Sequence, residues 1–193
     1  EQVHHMVGRI RKMVLEILYF TKSRELEYQK IDIRDLVSSI SETVMPSASR
    51  HNIALNISIP PSLVQIEVDP DWLQSALVNL LENAVDACSS DKANNQHHIR
   101  FDIFLKDTDH VCFRIKDNGI GMDQETREKM FTLFFSSKGS KGTGLGLFIA
   151  NHVIRQHGGT IVVTSEVKSG SEFEICIPCS KTLNSRNTPL KLI

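Results

Sequence analysis

Apolar residues change their spacing along this chain, and the change divides it into a helical lead and a compact mixed unit. Val3, Val7, Ile10, Val14 and Ile17 recur at alternating intervals of four and three, and Met6, Met13 and Phe20 recur every seven. Charged Arg9, Arg11, Lys12 and Glu16 fill the positions between them. Such a narrow seam suits a helix facing other helices better than one lying on its own domain. Residues 1–28 are therefore expected to form a long helix of a dimeric bundle, its pattern fading through Lys22-Ser23-Arg24-Glu25.

From Gln29 the periods shorten and mix. A short strand at 30–33 leads to a helix at 35–49, with Asp35 available near its start. Ile53, Leu55, Ile57 and Ile59 then alternate with other residues until Pro60-Pro61 stops the strand. After a further strand at 65–68, Asp69-Pro70 opens a long amphipathic helix reaching about residue 87, since a capping Asp followed by Pro suits a helix's first turn. Alternating strands follow at 98–106 and 111–116, then a helix at 124–130 and a glycine-rich loop. A helix at 145–157 is stopped by Gly158-Gly159, and a hairpin pairs 160–166 with 171–177. The tail from Ser180 has no periodicity. The pattern predicts one α/β unit over 29–179 and a mobile end over 180–193.

Two glycine runs supply candidate chemistry. In Asp117-Asn118-Gly119-Ile120-Gly121-Met122 a carboxylate sits in a glycine turn, where it can accept a hydrogen bond from an exocyclic amine. In Gly142-Thr143-Gly144-Leu145-Gly146-Leu147 bare backbone N–H groups can approach phosphate oxygens. One run would read a base and the other hold its phosphates. Each alone is also an ordinary loop. Upstream, Asn79, Asn83 and Asp86 lie four and then three residues apart, on a common face of the long helix beside Leu73, Leu77, Leu80 and Leu81. Asparagine is a modest helix former, so two of them one turn apart ask for a local reason, and a neutral amide oxygen suits Mg²⁺.

Composition narrows the field. The 193 residues are 40% hydrophobic, enough for one good core, and 22 basic side chains nearly balance 23 acidic ones. No global field favours nucleic acid or an anionic membrane, so phosphate recognition has to be local. Cys88, Cys112, Cys176 and Cys179 lie in apolar or strand-like segments without paired metal-ligand spacing, which suits free thiols in a reducing cytosol. Cys176-Ile177-Pro178-Cys179 spells C-x-x-C but ends a strand rather than opening a helix, so no redox role is assigned to it. No apolar stretch approaches the roughly twenty residues that cross a bilayer. The chain opens at Glu1 inside the heptad pattern and is expected to be part of a longer protein, whose upstream segments could attach it to a membrane.

Asn79-Leu80-Leu81-Glu82-Asn83-Ala84, then Asp117-Asn118-Gly119-Ile120-Gly121, then Phe131-Thr132-Leu133-Phe134-Phe135, then Gly142-Thr143-Gly144-Leu145-Gly146-Leu147 resemble the N, G1, F and G2 boxes of sensor histidine kinases, in order and spacing. Those kinases belong to the GHKL superfamily. The resemblance covers about residues 29–178 and implies the Bergerat ATP-binding fold: an α+β two-layer sandwich, its mixed sheet packed on helices, preceded here by one long helix. That helix resembles the second helix of the family's dimerisation hairpin, and implies a homodimer.

Further implications follow by position. Asn83 would coordinate Mg²⁺ and Asn79 would line the phosphate side. Asp117 would accept from the adenine amine, a sensible choice because guanine presents a carbonyl oxygen there. Gly119 and Gly121 would keep the base pocket open. Phe131, Phe134 and Phe135 would anchor a mobile lid, although each taken singly reads as core. Lys138 and the backbone of Gly142, Thr143, Gly144, Leu145 and Gly146 would face the polyphosphate, with the helix from Leu145 adding its positive end. The implied cofactors are ATP and Mg²⁺, and the implied partner is a response regulator receiver domain, with no role for nucleic acid and a cytoplasmic setting.

Departures from the pattern also count. A phosphoacceptor box is absent: His4 and His5 precede Met6-Val7 and read as surface histidines. Asp86 stands where many family members carry Lys or Arg. The expectation is a histidine kinase catalytic domain that delivers the γ-phosphate of ATP to a histidine elsewhere. The alternatives are an ATP-binding scaffold without kinase activity and a GHKL ATPase. The ATPases place a Glu general base where this chain has Asn79, and an amide cannot take a proton from water. An anti-sigma serine kinase fits the heptad helix poorly. Residues 139–144 open like a P-loop, but Leu145-Gly146 replaces its Lys and Ser/Thr, and the dinucleotide fingerprint lacks its last glycine at Leu147.

Overall fold

A computed structural model describes residues 25–61, 65–137 and 142–180. The heptad helix, Lys138 and the tail beyond residue 180 lie outside the described residues.

Strand β1 (Gln29–Asp32) pairs antiparallel with β3 (Gln65–Val68) in a small separate sheet. Asp32 ends β1 and caps α1 (Ile33–Arg50) by accepting from the Arg34 N–H, so the helix starts earlier than Asp35 suggests and Asp35 sits in its first turn. Strand β2 (Ile53–Ser58) follows α1. Helix α2 (Pro70–Ser90) begins at Pro70, with the Asp69 carboxylate accepting from the Trp72 N–H. The remaining elements are β4 (His97–Leu105), β5 (His110–Asp117), α3 (Gln124–Lys129), α4 (Gly146–Gln156), β6 (Thr160–Glu166) and β7 (Gly170–Pro178).

The main sheet has five strands in the order β2-β4-β5-β7-β6, parallel between β2 and β4 and antiparallel elsewhere. Period-two alternation turns Ile99, Phe101, Ile103, Val111, Phe113, Ile115, Phe173, Ile175 and Ile177 toward the helices, and all are buried. Phe101 stacks on Phe113 with ring centroids 6.3 Å apart. Leu73, Leu77, Leu80, Leu81 and Ala84 of α2 and Ile149, Val153 and Ile154 of α4 complete this core. Each large side chain buried here contributes about 1.5–3 kcal/mol. The other face of the sheet carries ion pairs, Arg114 with Glu174 at 2.7 Å and Lys116 with Glu172 at 3.0 Å. The result is the expected α+β two-layer sandwich with a mixed sheet.

Two features position the site. His157, 2% exposed, accepts the Asp69 N–H at Nε2 (3.1 Å) and donates from Nδ1 to the Val153 carbonyl (2.8 Å). An N–H can only donate and a carbonyl only accept, so the ring is the neutral Nδ1–H tautomer. It ties the end of α4 to the start of α2. On the sheet's charged face, Cys112 of β5 and Cys176 of β7 are joined by a disulfide, which corrects the expectation of free thiols at all four cysteines. The C-x-x-C run forms no bond of its own, as expected, because residues three apart on a strand point to opposite faces. Cys179 thus packs against the core as a free thiol, and Cys88 is buried and free in α2.

Candidate functional site

Strand β5 ends at Asp117, whose side chain is 3% exposed. Its Oδ1 accepts from the Gly119 N–H at 2.9 Å and from the Ser171 N–H at 3.3 Å. Burial raises the carboxyl's pKa above the usual range, and the two backbone hydrogen bonds pull it back down, as do the charges of His97 and His98. No group among the described residues donates to Oδ2, and it is not among the buried polar atoms lacking a partner. One oxygen is thus fixed by the protein, while no described residue donates to the other.

The turn carrying Asp117 is wedged from both sides. The Ile120 N–H donates to Ala87 of α2 at 3.2 Å, and a Cβ on Gly119 would stand 2.5 Å from the Ala87 carbonyl carbon. Gly121 adopts φ +65°, and a Cβ there would meet the Glu166 carbonyl oxygen at 1.9 Å. Both glycines are therefore required by packing of the turn against α2 and the β6–β7 turn, a reason separate from room for a base. Asn118 fastens the opposite edge, accepting from the His98 N–H at 2.8 Å and donating to the Gln96 carbonyl at 2.9 Å.

Asn79 and Asn83 are half-buried on α2. The Asn83 Nδ2 donates to the Asn79 carbonyl at 2.8 Å. That bond fixes the amide's orientation, because Oδ1 in the same place would face another oxygen. Asn79 Oδ1 lies 3.5 Å from where a Cβ on Gly146 would stand, so the helix asparagines and the second glycine run meet at the start of α4. Among the described residues no side chain caps α4; Thr143 Oγ1 instead accepts from the Leu145 N–H at 3.3 Å. Leu145 is buried while Gly142, Thr143, Gly144 and Gly146 are partly open. An uncapped helix end with glycine backbone before it is suited to anionic oxygens.

The structure separates two residues from this group. Asp86 is exposed, and Glu82 turns toward α1, where the Ser47 hydroxyl reaches it at 3.4 Å. The three phenylalanines also divide. Phe131 packs against the core beside buried Met130, whereas Phe134 is 57% exposed with φ 64° and donates its N–H to the Gly144 carbonyl at 3.1 Å. Phe131 thus rests on the core, and Phe134 ties the segment to the second glycine run.

Ser165 and Ser171 were not visible as site residues. Ser165 Oγ accepts from the Met122 N–H and donates to the Gly170 carbonyl, both at 2.9 Å, and the Ser171 hydroxyl lies 3.0 Å away. Together they prop the Asp117 turn from the β6–β7 hairpin. The available signal was two serines facing each other at the mouth of that hairpin.

Residues 68–181 match the family model of histidine kinase-, DNA gyrase B-, and HSP90-like ATPases. The chain belongs to that family. It is 32% identical over 170 residues to sensor histidine kinase ZraS of Klebsiella oxytoca, an alignment covering 88% of this chain and 36% of that protein. The chain thus spans little more than a third of this curated relative's length. Full-length ShkA in complex with AMPPNP is similar at TM-score 0.74 and 25% identity, over 88% of this chain and 36% of that one. Histidine kinase ThkA in complex with response regulator TrrA shares the fold at TM-score 0.71 and 24% identity, over 92% of this chain and 49% of that one. The family membership bears out the Bergerat-type α+β fold and nucleotide binding by this domain.

Proposed function

We propose that the chain is the ATP-binding catalytic part of a two-component sensor histidine kinase, which transfers the γ-phosphate of ATP to a histidine outside this chain for relay to a response-regulator aspartate. The observation that carries the reading is the buried Asp117 carboxylate, one oxygen held by Gly119 and Ser171 and the other unclaimed, in the same domain as an uncapped α4 start packed on Asn79. A carboxylate selects an amine-bearing base, and the helix end selects phosphate.

The residues fit Mg²⁺ and ATP chemically. Asn83 would supply a neutral amide oxygen to the metal, which when bound neutralises charge on the phosphate oxygens. Asn79, Lys138 and the backbone of 142–146 would hold the polyphosphate. Phosphoryl transfer has a loose transition state, so this chain's part is to position and to stabilise charge. Hydrolysis is disfavoured, since Asn79 cannot act as a base and Glu82 faces α1.

Homodimerisation through the N-terminal helical hairpin, a receiver-domain partner and a cytoplasmic setting belong to the same proposal. The receiver-domain partner is supported by the response regulator bound to ThkA. Among the described residues no helix is long and apolar enough to cross a membrane.

Asn83→Ala tests the reading. Transfer to an acceptor hairpin should be lost while thermal unfolding stays close to that of the parent, because the apolar contacts of α2 come from other positions. Retained transfer with unchanged magnesium dependence would place the metal elsewhere.

A further inference from the structure

The face of the main sheet turned away from the helices carries charged cross-strand pairs. Along β5 and β7 the facing residues on this side are Lys116 with Glu172, Arg114 with Glu174, Cys112 with Cys176, and His110 with Pro178 at the far end. The first two pairs are salt bridges and the third is a disulfide. Cross-strand register alone sets the cysteines side by side, with Cα atoms 4.1 Å apart, so the sulfurs stay neighbours whichever oxidation state they hold. Cys112 is fully buried and Cys176 is 8% exposed.

The same two strands hold Asp117 at their other end. Asp117 terminates β5, and Ser171, at the start of β7, donates its N–H to the carboxylate. A bond between Cys112 and Cys176 therefore clamps the β5–β7 ladder five residues from each of these groups.

We propose that Cys112 and Cys176 form a reversible thiol–disulfide exchange site, taking small-molecule disulfides and thiols as its reactants and stiffening the strand pair that carries Asp117. In the oxidising direction the Cys176 thiolate attacks one sulfur of a small disulfide, breaking its S–S bond. One small thiolate leaves with the electron pair. The Cys112 thiolate then attacks the Cys176 sulfur of the mixed disulfide and expels the second small thiolate. The cysteines lose two electrons, the small disulfide gains them, and the two cysteine protons end on the two departing thiols. Reduction is the same sequence reversed. Cys176 is the point of entry because it is the less buried member of the pair. At the other cysteines the thiolate is disfavoured: burial, reinforced by Asp117, pushes the Cys88 thiol up to about 12, and burial raises that of Cys179, which faces the core rather than the pair. Glu174, whose carboxylate also lies near both sulfurs, is held by Arg114, which makes a metal the weaker occupant of the reduced pair.

The test equilibrates the whole 193-residue chain, natively folded, with mixtures of reduced and oxidised glutathione. Acid quench, alkylation and peptide mass spectrometry then follow each cysteine. Cys112 and Cys176 should lose alkylation together in one two-electron step, recovered as a cross-linked peptide pair, while Cys88 and Cys179 remain thiols. Amide hydrogen exchange at Ser171 and Gly119 should be several-fold slower in the oxidised protein. In the Cys112→Ser, Cys176→Ser double variant it should not respond to the glutathione ratio. The proposal is overturned if Cys112 and Cys176 stay alkylatable at every ratio, if Cys176 links to Cys179, if the bond forms only after unfolding, or if exchange at Ser171 ignores the redox state. Stoichiometric Zn²⁺ uptake by the reduced protein that blocks oxidation would equally overturn it, by assigning the pair to a metal.

Discussion

Replacing Asp117 by Asn and by Ala should separate its two jobs. The carboxylate holds the turn through Oδ1, accepting from Gly119 and Ser171, and offers Oδ2 to the base. Asn keeps one acceptor. With its carbonyl oxygen bound to the two N–H groups, its NH₂ faces the adenine amine, donor against donor. The lost charge-assisted hydrogen bond is worth about 1.5–3 kcal/mol, so ATP affinity should fall about 10- to 150-fold. The preference over GTP should narrow or invert, because the new NH₂ can donate to the guanine carbonyl. Stability should be kept or slightly raised, since a carboxylate whose ionisation burial disfavours is replaced by a neutral group. Ala loses the same contact to the base and also leaves two buried N–H groups unpaired, at about 1–3 kcal/mol each. It should therefore weaken ATP by a similar amount and lower the melting temperature as well. Calorimetry with Mg·ATP and Mg·GTP, beside thermal unfolding, reads both effects. Unchanged ATP affinity in Asp117→Asn would refute the assignment of Oδ2 to the base.

Gly170 has φ +86°, and a Cβ there would stand 2.0 Å from the Asp117 carbonyl oxygen. Gly170→Ala should cost about 2–4 kcal/mol in urea unfolding from the left-handed backbone and the clash together, and a loss below about 1 kcal/mol would show that the hairpin does not brace the Asp117 turn. His157 is held neutral and its pKa is lowered, chiefly by burial. The unfolded chain then takes up its proton first as pH falls, so the stabilisation is full above about pH 6.5 and is lost below that as pH drops toward the depressed folded value. Melting temperature should decline over that window and the decline should be shallower in His157→Gln, a comparison that leaves the lowered pKa of His152 common to both proteins. Identical profiles would remove His157 from the coupling of α4 to α2.

Much of this molecule was legible because its signals are local. Alternation located the strands of the main sheet to within a residue or two, and Asp69-Pro70 marked the start of α2 by a mechanism confined to one turn. Asp117 was legible because a carboxylate within Asp-Asn-Gly-Ile-Gly has few structural uses. What stayed hidden depends on contacts distant in sequence. Ser171 reaches Asp117 across 54 positions, and Cys112 meets Cys176 across 64, pairings that only the β5–β7 register creates. The start of α1 was misplaced because Asp32 and Asp35 are both plausible caps, and the choice between them rests on where β1 ends. The split between half-buried Phe131 and exposed Phe134 follows from a left-handed residue that sequence spacing does not reveal.

The most direct measurement of the central claim incubates this chain with γ-labelled Mg·ATP, alone and with the complete dimerisation hairpin supplied. A pocket built to deliver phosphate, with Asn79 where a hydrolase needs a base, should bind the nucleotide, hydrolyse it slowly and leave the chain itself unlabelled. With the hairpin present, an acid-labile, alkali-stable phosphoryl group should appear on the hairpin's histidine. Rapid phosphate release without transfer would contradict the account in favour of an ATPase, nucleotide binding with neither transfer nor turnover would favour a scaffold, and label on His4 or His5 would contradict an acceptor outside this chain.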